Sequence, residues 1–591
     1  MYPPTIKDLS VVSFAPSTRQ IRHIALIMMT RDPITLNDER LRQRKPSILD
    51  LSTDVLGNIF DSFRDLNIIS KGSVNWGYSI QRIKNADNIA RHQNVCNLRL
   101  VCRLFNEFAS PLLCPVLRVE LEEASLNRLE KLSQSPHLAG TVHGIQVVLH
   151  YRPKEVAMDL ALYKSRRQKD LEKMIGTCDY LAETWSLGDY DENDDTICPL
   201  PHRQYVRAMK TYRSIFSAWS EASGMKVVRT IWDKEGFPNE KRIEYQQILC
   251  EGHGRYRKKH EEQLGLIVDG SFADRLAASM SRMIHVDSLG LIDTINTIPD
   301  PYFEDPTLLS TNMDHLRELM TKPHDWATIE NLDGEPELLP AKLLSEVPIA
   351  IHKAGIRIRD LSLKCFPLQQ NQTMVWPNRQ WSFSPAWSEF HAACQSLSKF
   401  EFSMSNQPLR HENLPEDQHS AMDEYLGAIL SSKSLENVRL DFHIFSVNDG
   451  RGKQRPHNVG KLLQDLRLPR INSLQIGGDA TVSQSELEKF CKGLGNHLSS
   501  LYFHSIDLSD GSWAGVLDIL REKVGPRSLD GRCKFTAASL TGGEFGQKQP
   551  RAILLDFLSW IPKPEPPLIL KTIDYVSGVD GMTNPLRKDR E

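Results

Sequence analysis

Apolar positions first fall into a sustained rhythm at Leu51, Val55, Leu56, Ile59, Phe60 and Phe63, spaced by four, one, three, one and three residues. That spacing places them on one face of an amphipathic helix. Ser52, Thr53 and Asp54 stand just before its apolar core, where a side-chain oxygen can accept from the unpaired first-turn N–H groups. A polar stretch from Asn67 to Gln93 follows, and then Leu98, Val101, Cys102, Phe105, Phe108, Ala109 and Leu112 mark a second helical face that ends near Pro111 and Pro115. Two short helices cannot bury both their apolar faces against each other, so either the rest of the chain or a partner must cover the remainder.

These two segments carry a resemblance. Leu51-Ser-Thr-Asp-Val-Leu-Gly-Asn-Ile-Phe60 resembles the opening helix of an F-box. Leu98-Arg-Leu-Val-Cys-Arg-Leu-Phe-Asn-Glu-Phe-Ala-Ser-Pro-Leu-Leu113 resembles its closing segment as found in fungal F-box proteins. Ser52 stands where that family usually has proline, and the connection is about twenty residues longer than common helix connections. The resemblance implies docking onto a Skp-type adaptor and, through it, a cullin. Leu51, Val55, Leu56, Ile59, Leu98, Val101 and Phe105 are the adaptor-binding candidates, since a helix-in-groove interface takes anchors at helical spacing.

Beyond this pair the pattern changes. The template L-x-x-L-x-L, with any aliphatic residue or Phe in the apolar slots, matches seven times: Val142/Ile145/Val147, Val286/Leu289/Leu291, Ile358/Leu361/Leu363, Leu397/Phe400/Phe402, Leu435/Val438/Leu440, Ile471/Leu474/Ile476 and Leu498/Leu501/Phe503. The last four intervals are 39, 38, 36 and 27 residues, of which only the final one has the length of an ordinary leucine-rich repeat. Helical runs such as 423–430 and 484–494 alternate with these strands, and stretches 159–173, 205–221 and 240–283 are helical and polar. Segments 272–280 and 508–521 resemble parts of large fungal F-box proteins with irregular repeats. In the second, Gly511 suits a turn, Ser512 can cap, and Trp513, Val516, Leu517 and Leu520 form a helical face.

The expected fold class is therefore α/β (α+β): an N-terminal helical F-box followed by an irregular leucine-rich-repeat-like solenoid with a helical insertion. A compact α/β or α+β domain with a mixed sheet is the competing architecture. The expected divisions are a poorly ordered leader over 1–45, an F-box over 46–116 with a loop inserted at about 66–94, and the repeat-like domain over 117–560. The insertion in that domain covers about 155–283, and residues 561–591 form a poorly ordered Pro-rich, charged tail interrupted by a strand-like run, 568–573.

Composition narrows the function. The chain has 591 residues, 72 Lys and Arg against 75 Asp and Glu, and a formal charge of −3, so no global field draws it to nucleic acid or to an anionic membrane. Ten cysteines without a C-x-x-C pair read as buried reduced thiols. The six-residue apolar run 24–29 is too short to span a bilayer, and an intracellular soluble protein, cytoplasmic or nuclear, is expected. The chain lacks G-x-x-x-x-G-K-[ST], H-E-x-x-H and G-x-S-x-G. The acidic loop 189–195 departs from a calcium loop at Asp194 and Leu200, and Cys250, His253 and His260 lack a fourth metal ligand.

No catalytic residue, cofactor or metal is expected, and the chain is read as no enzyme. The reading is a substrate-recognition subunit of an SCF-type cullin-RING ubiquitin ligase, with the adaptor on the F-box and a target protein on the C-terminal domain. The alternative is an F-box-containing interaction scaffold that delivers no substrate. Ser362, Glu401, Arg439, Gln475 and Tyr502, the outward positions between strand leucines, are the candidate target-binding residues.

Overall fold

The computed structural model describes residues 51–52, 54–56, 59, 94–112, 115–186, 202–221, 239–293, 307–334, 336–367, 369–377, 385–403, 416–442, 446–448, 454–464, 466–546 and 567–587. The expected leader, the inserted loop over 66–93, the acidic loop 189–195 and the Pro-rich run 562–566 lie outside these residues. The chain divides into two units, Met1–Asp61 and Ser62–Glu591.

In the first unit the helical turn at 54–56 begins where expected. Ser52 caps it: its Oγ accepts from the Val55 N–H at 3.4 Å, and its carbonyl accepts from Leu56 at 3.0 Å.

In the second unit the dominant element is one sheet. Its strands are β1 (Val116–Glu120), β2 (Gly144–Val148), β3 (Ser288–Ile292), β4 (Asp360–Leu363), β5 (Lys399–Ser403), β6 (Asn437–Asp441), β7 (Ser446–Asn448), β8 (Gln454–Asn458), β9 (Ser473–Val482), β10 (Ser500–Leu508), β11 (Lys534–Ala538) and β12 (Thr541–Gly542). The order β1-β2-β3-β4-β5-β6-β9-β10-β11 is parallel throughout; β12 pairs with β10, and the β7–β8 hairpin joins the edge of β9.

Parallel neighbours need crossovers, and here these are helical. The α-helices of seven or more residues among those described are α1 (Arg103–Ala109), α2 (Glu123–Ser133), α3 (Leu160–Ser186), α4 (His202–Glu221), α5 (Asn239–Val268), α6 (Ser271–Met280), α7 (Met313–Thr321), α8 (Leu343–Lys353), α9 (Pro385–Cys394), α10 (Glu416–Leu430), α11 (Gln484–Lys492), α12 (Trp513–Leu529) and α13 (Pro567–Val576). Helices α2, α6, α8, α9 and α10 pack in sequence, and α11, α12 and α13 continue the layer through the short helix Gly460–Gln464. One core runs between this layer and the sheet face that carries Ile145, Leu289, Leu361, Phe400, Val438, Leu474 and Leu501.

The expected two-part plan of a helical F-box followed by a repeat-like solenoid is overturned by this single α/β sheet of twelve strands. Along the parallel path, neighbouring strands start from 27 residues apart (Ser473 to Ser500) to 144 apart (Gly144 to Ser288), so no repeat unit of fixed length is stacked. The sheet also begins at Val116, where the F-box was expected to end. Direct strand pairing with a shared core, instead of repetition, sets the architecture.

Two local expectations are also corrected. The second periodic run is not one helix, because residues 94–99 are helical, the chain turns at Leu100 and Val101, and α1 starts anew after extended Cys102, whose Sγ accepts from Phe105 at 3.4 Å. The strand-like run near the C-terminus is α13, and the segment is no loose tail: Ile569, Tyr575, Val576 and Leu586 belong to the main core. Period-two and helical burial cannot be told apart in so short an apolar run.

The stretch between β2 and β3, joined by α7 from between β3 and β4, forms a lobe with a core of its own. Tyr163, Leu171, Tyr205, Tyr212, Trp219, Tyr256, Leu316 and Met320 are buried together there. Helix α5 links the two cores, contributing Tyr245 and Tyr256 to the lobe and Leu266 and Ile267 to the sheet.

Candidate functional site

Residues separated by two in a strand share a sheet face, so register decides whether the candidate target-binding residues meet. Ser362 pairs with Glu401, Glu401 with Arg439, Arg439 with Gln475, and Gln475 with Tyr502. All five stand side by side on consecutive strands of the sheet path. The same row runs on through Gly290, Gln146 and Arg118 on one side and Thr536 on the other.

Its centre is closed. Ser362 is 2% and Glu401 7% exposed, whereas Arg439, Gln475 and Tyr502 are half-buried. Ser362 Oγ donates to Glu401 Oε2 at 3.2 Å, and the Arg439 guanidinium lies 3.6 Å from Glu401 Oε1 and 3.9 Å from Asp441 Oδ2. Burial pushes the Glu401 carboxyl above its ordinary range, while Lys364 and Arg439 pull it back. The result is a polar row in which Ser362, Glu401 and Arg439 bond or pair with one another across strands.

The adaptor-binding candidates divide by burial. In the first unit Leu56 is fully buried, Leu51 and Ile59 are half-buried and Val55 is 38% exposed. In the second, Phe105 is buried, Leu98 is half-buried and Val101 is 63% exposed. Leu56 and Phe105 therefore leave the set of surface anchors, because both face inward. Leu100, absent from the set, is 85% exposed beside Val101, since the chain turns where a continuous helix would have hidden one of the pair.

A second cluster joins the lobe to the sheet. The carbonyls at the end of α7 meet buried side-chain donors, Leu319 O also accepting from Lys322 N at 3.1 Å. Arg167 Nη1 donates to Leu319 O, Tyr163 Oη to Met320 O at 2.8 Å, Arg152 Nε to Thr321 O at 2.8 Å, and Arg167 Nη2 to Lys322 O at 3.3 Å. Two cations at a helix C-terminus also suit its dipole. Arg152 Nη2 and Lys259 Nζ converge on Glu122 Oε1 at 2.8 and 3.1 Å. Burial alone would raise the Glu122 pKa, but these two cations outweigh it and hold the carboxyl below its usual range. Gln263 accepts from Arg152 N and donates to Leu121 O and His150 O, so one buried amide stitches β1 and β2 to α5.

Among the described residues, Glu120, Glu122 and His150 are the one group of three whose metal-binding atoms come within 4.8 Å of one another. Arg118 holds Glu120 at 2.9 Å, and Arg152 and Lys259 hold Glu122, so the negative charge a dication needs is already neutralised. His150, pushed down to about 3 by burial and then by Arg152, remains neutral. Cys250, His253 and His260 do not converge: ten residues of helix separate the first and last by about 15 Å. Cys250 is exposed, and His260 Nδ1 bonds Arg152 O at 2.6 Å. Burial of the thiols is otherwise common, with Cys178, Cys365, Cys394, Cys491 and Cys533 inside.

Comparison with family models, with curated proteins and with solved structures finds no match to this chain. Among the described residues no helix is long and apolar enough to cross a membrane.

Proposed function

We propose that the chain is a substrate-recognition subunit of an SCF-type cullin-RING ubiquitin ligase. Residues at 51–59 and 98–105 would engage a Skp-type adaptor, and the polar band on the sheet a target protein. The observation that carries this reading is the adjacent pair Leu100 and Val101, exposed in the segment that resembles an F-box closing half. Large apolar side chains paired at a turn cost solvation unless a partner covers them. The chain itself would carry out no covalent step. Tethering a target beside a ubiquitin-charged enzyme raises the effective concentration of its lysines, and transfer follows from proximity.

The test is co-purification with the adaptor, using wild type and a Leu100→Asp, Val101→Asp double variant. Both side chains are exposed, so the variant keeps its circular dichroism spectrum and loses the adaptor. Failure of well-folded wild type to bind rejects the proposal. The closed centre of the band at Ser362 and Glu401 favours a second reading, an F-box-type scaffold that delivers no substrate. Depletion in cells separates the two, because a ligase receptor leaves at least one protein longer lived and a scaffold leaves none.

A further inference from the structure

The lobe and the sheet have separate apolar cores, and the layer between them is polar. At its centre lies His324, whose backbone forms an antiparallel bridge with Tyr151, the extension of β2, through bonds of 2.9 and 3.0 Å. Its ring Nε2 lies 3.0 Å from Arg167 Nη2 of α3. A guanidinium only donates, so Nε2 must accept, and the ring must be neutral with its proton on Nδ1. A second proton would set N–H against N–H and place two positive charges together.

We propose that the Arg167–His324 contact is an acid-released latch that holds α3 and α7 of the lobe to the sheet. Each element packed around the ring adds to this. Arg166 and Arg167 come from α3, Arg152 from the chain after β2, and Lys322 from the segment beyond α7. Tyr256 of α5 places its ring 6.1 Å away, and Tyr151 adds only backbone bonds. On α3 itself, Asp170 pairs with Arg167 at 3.3 Å; Asp325, next to His324 in the chain, accepts from Thr328 N at 2.7 Å, and Asp293 accepts from Trp326 N at 3.0 Å. Burial and the charges of Arg167, Arg166, Arg152 and Lys322 thus depress the pKa of the ring in the closed form.

The sign follows from linkage. The histidine is neutral when closed and regains its ordinary value of 6.5 when open, so the closed form keeps its full advantage above about pH 6.5 and loses it as pH falls. One such site changes the opening constant about tenfold between roughly pH 7.5 and pH 5.5. Because α5 runs through both cores, opening frees α3 and α7 about α5 and does not detach the lobe.

Hydrogen exchange of the full chain, corrected for intrinsic rates, tests this. Opening of α3 and α7 should rise about tenfold over that range relative to β5 and β6, and a His324→Gln variant, whose amide oxygen still accepts from Arg167, should show no rise. Equal change in lobe and sheet, or an unchanged rise in the variant, overturns the proposal. A second readout needs no variant: imidazole ¹⁵N shifts of wild type near neutral pH should report Nε2 unprotonated, and a protonated Nε2 overturns the latch as well.

Discussion

Tyr575 donates its phenolic proton to Asp518 Oδ1 at 2.6 Å, tying α13 to α12 across 57 residues of sequence. Asn584 adds bonds to the same oxygen at 2.7 Å and to Ala514 O at 2.9 Å, Arg587 pairs with the other oxygen, and the Arg521 guanidinium lies 4.5 Å from the centre of the Tyr575 ring. Deleting residues 567–591 should therefore destabilise the sheet. Exposing the pockets of Ile569, Tyr575, Val576 and Leu586 is expected to cost on the order of 5 kcal/mol, read as a lower urea midpoint. An unchanged midpoint would mean that the segment only decorates the fold.

The same carboxylate sets an acid limit. Burial raises the Asp518 pKa, but the hydrogen bonds from Tyr575, Asn584 and Arg587, with the charge of Arg587, bring it below the ordinary 3.8. Its stabilisation is present above that value and is lost only as pH falls further. Protection of α13 amides should persist near pH 5.5, in contrast to α3 and α7.

Glu401 and Arg439 predict an asymmetric pair of variants. Arg439→Ala takes one of two cations from a buried carboxylate, leaving Lys364, and should cost about 1–3 kcal/mol. Glu401→Gln keeps an acceptor for Ser362 and removes a charge that burial disfavours, so it should change stability by less than about 1 kcal/mol. The Glu401 pKa is raised, so its ionisation weakens the fold as pH climbs from its ordinary value of 4.5, and the gap between wild type and Glu401→Gln should narrow in acid. Thermal melts at two pH values check both statements.

Gly477 marks a close approach of β9 to β10. A Cβ there would stand 2.5 Å from the His504 carbonyl oxygen, next to the register shift between His504 and Ile506. Gly477→Ala is expected to destabilise by about 1–3 kcal/mol in urea, since backbone and not a flexible side chain must move. A neutral result would show that the bulge absorbs the methyl group.

Helix α11 has a capping box. Ser483 Oγ accepts from Glu486 N at 3.3 Å, and the Glu486 carboxylate accepts from Ser483 N at 3.0 Å. Ser483→Ala should cost about 1 kcal/mol, measured as a shift of the urea midpoint.

Local patterns reached the strands but not their arrangement. Every template triplet places its second and third apolar residues in a strand, yet β1 and β11 escaped, because their first slots hold Cys114 and Arg532 where the template asks for an aliphatic residue or Phe. The inner alternation of Leu117 with Val119 and of Phe535 with Ala537 was the available signal. The Ser512 cap before α12 was also legible, and the structure shows its Oγ accepting from Ala514 at 3.0 Å with Gly511 at a φ of 78°.

Spacing along the chain sufficed to put the strand leucines on a core face, to place the long helices between β2 and β3, and to mark the strand positions that point away from the leucines, because each depends on separations of a few residues. Only the tertiary structure decided that the strands pair directly into one sheet and that Ser362, Glu401, Arg439, Gln475 and Tyr502 fall in one row. It alone joined Arg167 to His324 across 157 residues. Strand pairing and buried charge contacts link positions whose separation along the chain carries no periodic trace, so their partners are fixed when the cores close and not before.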